Sequence, residues 1–283
     1  MSQQTTGGRL ALVRALFADI AAEVDEAFEA HGGGSPEAAF DAEMDRQIEQ
    51  VLPGSARFAL ADEQAALRWD AVFQRAERAA EMLGSRVPEP ELFHAAGVDF
   101  AELHDLLAQH PQLEPVVAPF GLGADAWQRA FEHSNTGTHL LLAPEALREF
   151  AALDLAPETP TVTTTAGVGA GYSTSPSHSP SSSVRWSMRL IPASPSPSLL
   201  GLSFAHGPHV TLPEMLMLQL TRVLGGEDPV DRATFTWLAG SIAGGRLAAR
   251  HVFDSAEQAV RVNCREPHSQ GPHMGARPPV SGA

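Results

Sequence analysis

Four histidines carry the strongest chemical signal in this 283-residue chain. His206 and His209 bracket a His-Gly-Pro-His turn ahead of an apolar run, while His268 and His273 follow the last strand-like segment, near Cys264. Imidazole nitrogens and thiolates are zinc ligands, and two histidines from each of two loops could in principle complete a tetrahedral site. The competing reading is that all four are loop imidazoles, hydrated or capping nearby backbone. Arg277 lies a few positions further on, where a guanidinium could orient an anionic ligand. His206, His209, His268, His273 and Arg277 are therefore the candidate ligand-binding set. The four histidines are the candidate metal set; zinc there is the one cofactor considered, and none is otherwise expected.

Other chemistry-bearing residues read as structural. Cys264 alternates with Arg261 and Arg265, so its thiol shares a strand face with Val260 and Val262, where a small buried group is the default. His104 and Asp105 are adjacent on a helical stretch and do not face each other. Glu37, Asp41, Asp45 and Glu49 recur every four residues; such a stripe can hold a cation or meet an Arg-rich partner, but is more often a hydrated helix face. Gly167 to Gly171 is a G-x-G-x-G run with no preceding strand to aim its amides at a phosphate. The P-loop, H-E-x-x-H, G-x-S-x-G and paired C-x-x-C signatures are all missing, and no residue is singled out as catalytic.

The elements that must carry these groups follow from periodicity and punctuation. Apolar residues spaced by three and four predict amphipathic helices over 10–28, 35–51 and 62–83, with Leu67, Val72, Phe73, Ala76, Ala80 and Leu83 as one face of the third. Asp99 and Glu102 have capping-box spacing for a short helix ending before Pro111. Short apolar runs near Val116 and Leu140 to Leu142 read as strands, with helices over 124–131 and 144–153. Residues 156–183 are rich in Ser, Thr, Pro and Gly and offer little to bury, so they read as a disordered linker. Val184 to Leu190 alternates as a half-buried strand, and 199–204 as a second. Thr211 and Glu214 form a capping box for an almost wholly apolar helix over 212–224, and strands follow over 234–238, 247–253 and 259–265. The tail from Pro267 reads as irregular.

These elements predict an α+β protein in three parts: an acidic helix-rich domain over 1–155, the linker over 156–183, and a small antiparallel sheet covered by one helix over 184–283. Charge follows the same division. Residues 1–160 hold 10 Arg against 27 acids, and 161–283 hold 9 Arg against 7 acids; no Lys occurs, and the net charge is −15. An acidic chain without a basic stripe is repelled by phosphate backbones, so no nucleic-acid partner is expected. Cys264 is the only cysteine, which rules out an intramolecular disulfide. With no cationic start before an apolar run and no long apolar stretch, no membrane association is expected, and the cytoplasm is the expected location.

Phe40 to Leu52 (FDAEMDRQIEQVL), Phe235 to Ser241 (FTWLAGS), the VRVNC strand end and the GPHMGARPP tail resemble an uncharacterised family of proteins of high-GC Gram-positive bacteria, a domain of unknown function. The resemblance implies a two-part architecture and carries over no catalytic residue. The leading functional expectation is a protein- or ligand-binding, regulatory module that engages a protein partner or self-associates. The alternative is a metal-dependent or acid–base enzyme using the histidine cluster.

Overall fold

In the computed structural model, residues 57–60, 62–165 and 183–282 are described. The helices expected over 10–28 and 35–51, the carboxylate stripe at 37–49 and the glycine run at 167–171 lie outside them.

Helix α1, Glu63–Met82, starts where the Asp62 carboxylate accepts the Gln64 N–H at 2.9 Å, satisfying one of the four amides that a helix start leaves unbonded. Its inward face is Ala65, Ala66, Trp69, Val72, Phe73, Ala76, Ala79 and Ala80. Leu67, expected on that face, is 62% exposed, and Trp69 takes its place. Short helix α2 (Pro90–Ala95) and α3 (Phe100–Gln109) follow, the latter capped by Asp99, which accepts from Ala101 and Glu102. Phe58, Trp69, Phe73, Phe93 and Phe100 form a chain of tilted and edge-on ring contacts that joins these helices.

Next come β1 (Leu113–Phe120), α4 (Ala124–His133), β2 (His139–Leu142), the short helices α5 (Pro144–Arg148) and α6 (Phe150–Leu153), and β3 (Thr161–Thr165). The helix expected over 144–153 is interrupted at Glu149. Then β4 (Ser183–Pro192), β5 (Leu199–Leu200), a 3-10 turn at Phe204–His206, α7 (Leu212–Leu224), β6 (Phe235–Ile242), β7 (Leu247–Asp254), β8 (Ala259–Arg265) and β9 (Met274–Ala276) complete the described chain. The capping box of α7 forms as expected: the Glu214 side chain accepts the Thr211 N–H at 2.9 Å, and the Thr211 hydroxyl faces the Glu214 amide.

The fold is α+β with two sheets. One has the order β1-β4-β3 and is antiparallel; the other has the order β2-β8-β7-β6-β9-β5 and is mixed, with β2 parallel to β8 and β6 parallel to β9. Helix α7 packs on β1, α1 and β6, and is buried from Leu212 to Leu220. One hydrophobic core runs from Phe58 through α1, β1, α7 and β4 to Val262.

This connectivity redraws the three-part division. β1, expected in the first domain, pairs along its whole length with β4 of the second, Leu113 opposite Pro192 and Phe120 opposite Arg185. β2 pairs with β8, and β3, expected inside the linker, pairs with β4, so that Arg57–Ala283 is one compact unit. The physical reason is that an edge strand needs little apolar area. The threonines of β3 favour extended backbone, its amides bond to β4, Val162 is buried, and the Trp186 indole N–H donates to the Thr164 hydroxyl at 3.3 Å. The rest of the expected linker, 166–182, lies outside the described residues.

Candidate functional site

The histidines do not assemble. Their chain positions allow convergence, but His206 and His209 are committed locally and His268 and His273 stand in solvent. His206 is exposed, with Nδ1 3.0 Å from the Ser203 hydroxyl and 3.3 Å from the Ser203 N–H. The His209 ring lies flat on Phe204, with centroids 4.7 Å apart and planes at 11°, and its Nε2 donates to the Phe204 carbonyl at 2.6 Å. His268 and His273 are exposed, and the His273 carbonyl, not its ring, accepts the Phe235 N–H. Among the described residues no group of three or more His, Cys, Asp or Glu side chains is placed to hold a metal ion. The expected four-histidine zinc set is therefore corrected: the four rings do not converge, and the His209 ring is taken up by stacking on Phe204 and by the Phe204 carbonyl.

Arg277 is also corrected as a ligand-binding residue, because it is fully buried. Its NH2 donates to Asp231 Oδ1 at 2.5 Å, its NH1 to the Pro192 carbonyl at 2.5 Å, and its Nε lies 3.2 Å from the Thr236 hydroxyl. On the other side of the same carboxylate, Asp231 Oδ2 accepts from the Thr236 hydroxyl at 2.7 Å and from His251 Nδ1 at 2.9 Å. Gln219 Nε2 then bridges His251 Nε2 at 3.0 Å and the Val230 carbonyl at 2.9 Å. The His251 ring is thus held at both nitrogens, by Asp231 at Nδ1 and by Gln219 at Nε2. Burial pushes the Asp231 carboxyl up, but the hydrogen bond from His251 and the charge of Arg277 outweigh it and hold it below the usual aspartate range. An aspartate–histidine pair resembles acid–base machinery, yet Asp231, His251, Gln219 and Arg277 are all closed to solvent. Their chemical work is to tie β7, α7, β9 and the end of β4 to one buried charge.

The surface the fold does present lies on the other side of the six-stranded sheet. Thr236 pairs with His251 and Ala249 with Cys264, so these point into the core, and alternation sends Phe235, Trp237, Ala248, Arg250, Asn263 and Arg265 outward. Cys264 thus faces inward, as the alternation of β8 predicts, and burial pushes its thiol up. Outside, Trp237, Ala248 and Met274 form a small cluster flanked by Phe204 and Phe235 that no α-helical residue joins. The loop bearing His206 and His209 covers it in part: Leu202 accepts the Trp237 indole N–H at 3.0 Å, and Phe204 meets the Trp237 ring edge-on. The Arg250 guanidinium stands 3.9 Å from the centroid of the Phe235 ring, a cation–π contact. Its Nε is sealed and without an acceptor; burial, and then the charge of Arg265, lower its proton affinity. Neither Arg250 nor Arg265 has an acidic partner among the described residues, whereas neighbouring Arg261 is paired with Asp254 and Glu257.

A second opening lies beside the glycine loop between β1 and α4. Gly121 (φ +95°) and Gly123 (φ +76°) turn the chain through backbone angles that side-chain-bearing residues rarely adopt. The Gly121 N–H donates to Asp154 Oδ2 at 2.9 Å, and the Gly123 amide also favours the ionised carboxylate, while burial is the larger influence and pushes the Asp154 carboxyl up. The resulting cleft has a volume of about 630 Å³. Asp125 and Arg129 of α4, and Leu147, Arg148, Phe150 and Ala151 of α5 and α6, line it.

No local pattern marks Asp231, His251 and Gln219 as a unit, since they come from a loop, a strand and a helix. For Arg250 the signal is its alternation with Ala249 and His251, which places it outward. Comparison with protein-family models, curated proteins and solved structures finds no match to this chain.

Proposed function

We propose that the protein is a protein-binding module whose contact surface is the outer face of the six-stranded sheet, and whose partner offers an acidic segment with apolar side chains. The observation that carries this reading is Arg250, a cation held against Phe235 with a sealed, unaccepted Nε and no counter-charge among the described residues, next to equally unpaired Arg265. A chain of net charge −15 in which, among the described residues, two arginines on one apolar face have no carboxylate partner has a local complement for a carboxylate. Phe235 and Phe204, only partly buried over the Trp237–Met274 cluster, supply the apolar contact, and an aromatic next to Arg is the usual composition of an interface hot spot. Two free cations suit one or two carboxylates; a polyanionic nucleic acid gains its affinity from many phosphate contacts. Binding rather than catalysis is supported by the enclosure of the Asp231–His251 pair, which a substrate cannot reach.

The test is fluorescence anisotropy with the full chain and a labelled peptide alternating Glu with Trp, against the same peptide with Gln for Glu and against labelled oligouridine. The expected result is saturable, salt-sensitive binding of the Glu peptide that weakens about tenfold in Arg250→Gln or Arg265→Gln. Equal binding of the Gln peptide, indifference to both substitutions, or binding of oligouridine in place of the peptide would each end this reading.

A further inference from the structure

We propose that the cleft between the Gly121–Gly123 loop, α4 and the α5–α6 pair binds a small organic anion, with Arg129 and Arg148 holding its charged head. Its body would lie on Leu122, Leu147, Phe150 and Ala151. This inference is independent of the outer sheet face and rests on three observations.

Size comes first. About 630 Å³ falls within the range of roughly 300–1,000 Å³ typical of small-molecule sites, whereas the recess around Arg57 and Glu77 holds about 210 Å³ and that around Glu114 and Arg222 about 10 Å³.

Charge comes second. Arg129 and Arg148 stand on separate helices, are both exposed to the same cleft, and have no acidic partner among the described residues. Guanidinium groups recognise carboxylate and phosphate oxygens through paired N–H donors, so two of them at one opening select an anion. Asp154 is not their counter-charge. Its carboxylate is turned onto the Gly121 amide, its Oδ1 is shut off from solvent, and the arginine whose charge reaches it is Arg185. The internal carboxylate therefore holds the loop, and the two arginines are left for an external group. Asp125 also lines the cleft, and its charge favours one anionic head over a polyanion.

The apolar wall comes third. Leu147 is 45% exposed at the cleft beside Ala151, a surface that an inorganic ion would leave wet and a hydrocarbon body would cover.

Isothermal titration of the full chain tests the proposal, with phenyl phosphate and 3-phenylpropionate as organic anions, inorganic phosphate as a bare head and benzylamine as a cation. One or both organic anions should bind with 1:1 stoichiometry, at least about tenfold more tightly than inorganic phosphate, and the preferred one identifies the head group. Arg129→Gln and Arg148→Gln should each weaken that binding about tenfold or more while moving the thermal midpoint by no more than about 2 °C, and Ala151→Trp should fill the cleft and abolish it. The proposal is overturned if neither organic anion binds at about 10 mM, if benzylamine binds as well as they do, or if both arginine variants bind like the parent protein.

Discussion

Arg189 of β4 and Glu214 in the first turn of α7 meet through two parallel hydrogen bonds, Nε to Oε1 at 2.6 Å and NH2 to Oε2 at 2.5 Å, with the carboxylate wholly buried. The same carboxylate accepts the Thr211 hydroxyl at 2.7 Å, so one group both caps the central helix and ties it to the three-stranded sheet. Removing the cation leaves a buried charge with only its cap bonds. Arg189→Met is therefore expected to cost about 3–5 kcal/mol by urea denaturation, and Arg189→Lys less, because an ammonium keeps the charge but loses the fork.

The Asp231 cluster makes a similar prediction with a pH signature. Arg277→Met should destabilise by about 3–5 kcal/mol near neutral pH. Because the folded-state value of Asp231 is held below the ordinary aspartate value of about 3.9, its contribution is fully present above that value and is lost as the pH falls through the lower folded value. The difference in urea midpoint between Arg277→Met and the parent should accordingly shrink in that acid window. A difference that stays constant to the bottom of the window would show that the guanidinium acts by packing alone.

His209 titrates in a different range. Burial lowers its proton affinity, and the hydrogen bond to the Phe204 carbonyl only partly offsets this. Its Nδ1 is enclosed with no partner, so a proton added there finds no acceptor. The stability it contributes is complete above the ordinary imidazole value of about 6.5 and is lost as pH falls through the lower folded value. Thermal melts of the parent protein should lose stability over that interval, and His209→Gln should flatten the loss.

Asp154 has the opposite sign. Its carboxyl is raised, so its contribution is fully present below the ordinary carboxylate value and is lost as pH climbs through the raised one. Relative to Asp154→Asn, which keeps an oxygen for the Gly121 amide, the parent protein should gain stability as pH falls from 7 toward 4. Gly121→Ala, which forces a methyl into φ +95° and to 3.4 Å from the Ser183 carbonyl, should cost about 1–3 kcal/mol at any pH.

Much of the local structure was legible before the coordinates. The capping box at Thr211 and Glu214, the alternation that turns Cys264 inward and Arg261 outward, and the α+β class all follow from short-range pattern, because caps and pleats involve neighbours in sequence. Pairing did not follow. Nothing within Leu113–Phe120 names Ser183–Pro192 as its partner, and β3 and β9 lack the apolar run that would mark a strand, since their backbone bonds supply what their side chains do not. The histidines misled for a related reason. Spacing reports which rings are near in the chain, while ring stacking on Phe204 and the carbonyl of the same residue decided where His209 points. Arg277 misled through composition: in a Pro- and Gly-rich tail it looked exposed, but the tail adds strand β9 and carries the guanidinium into the core.

The interlaced strand order has a consequence for biosynthesis. Between residues 57 and 165 no described strand pairs with another: β1 and β3 wait for β4, and β2 waits for β8. On the ribosome β1, β2 and β3 therefore stay unpaired until Pro192 and then Arg265 have emerged, so the two sheets close only late in synthesis. A message cut short before β8 would release a polypeptide with unmatched apolar edges, a natural client for chaperones and proteases.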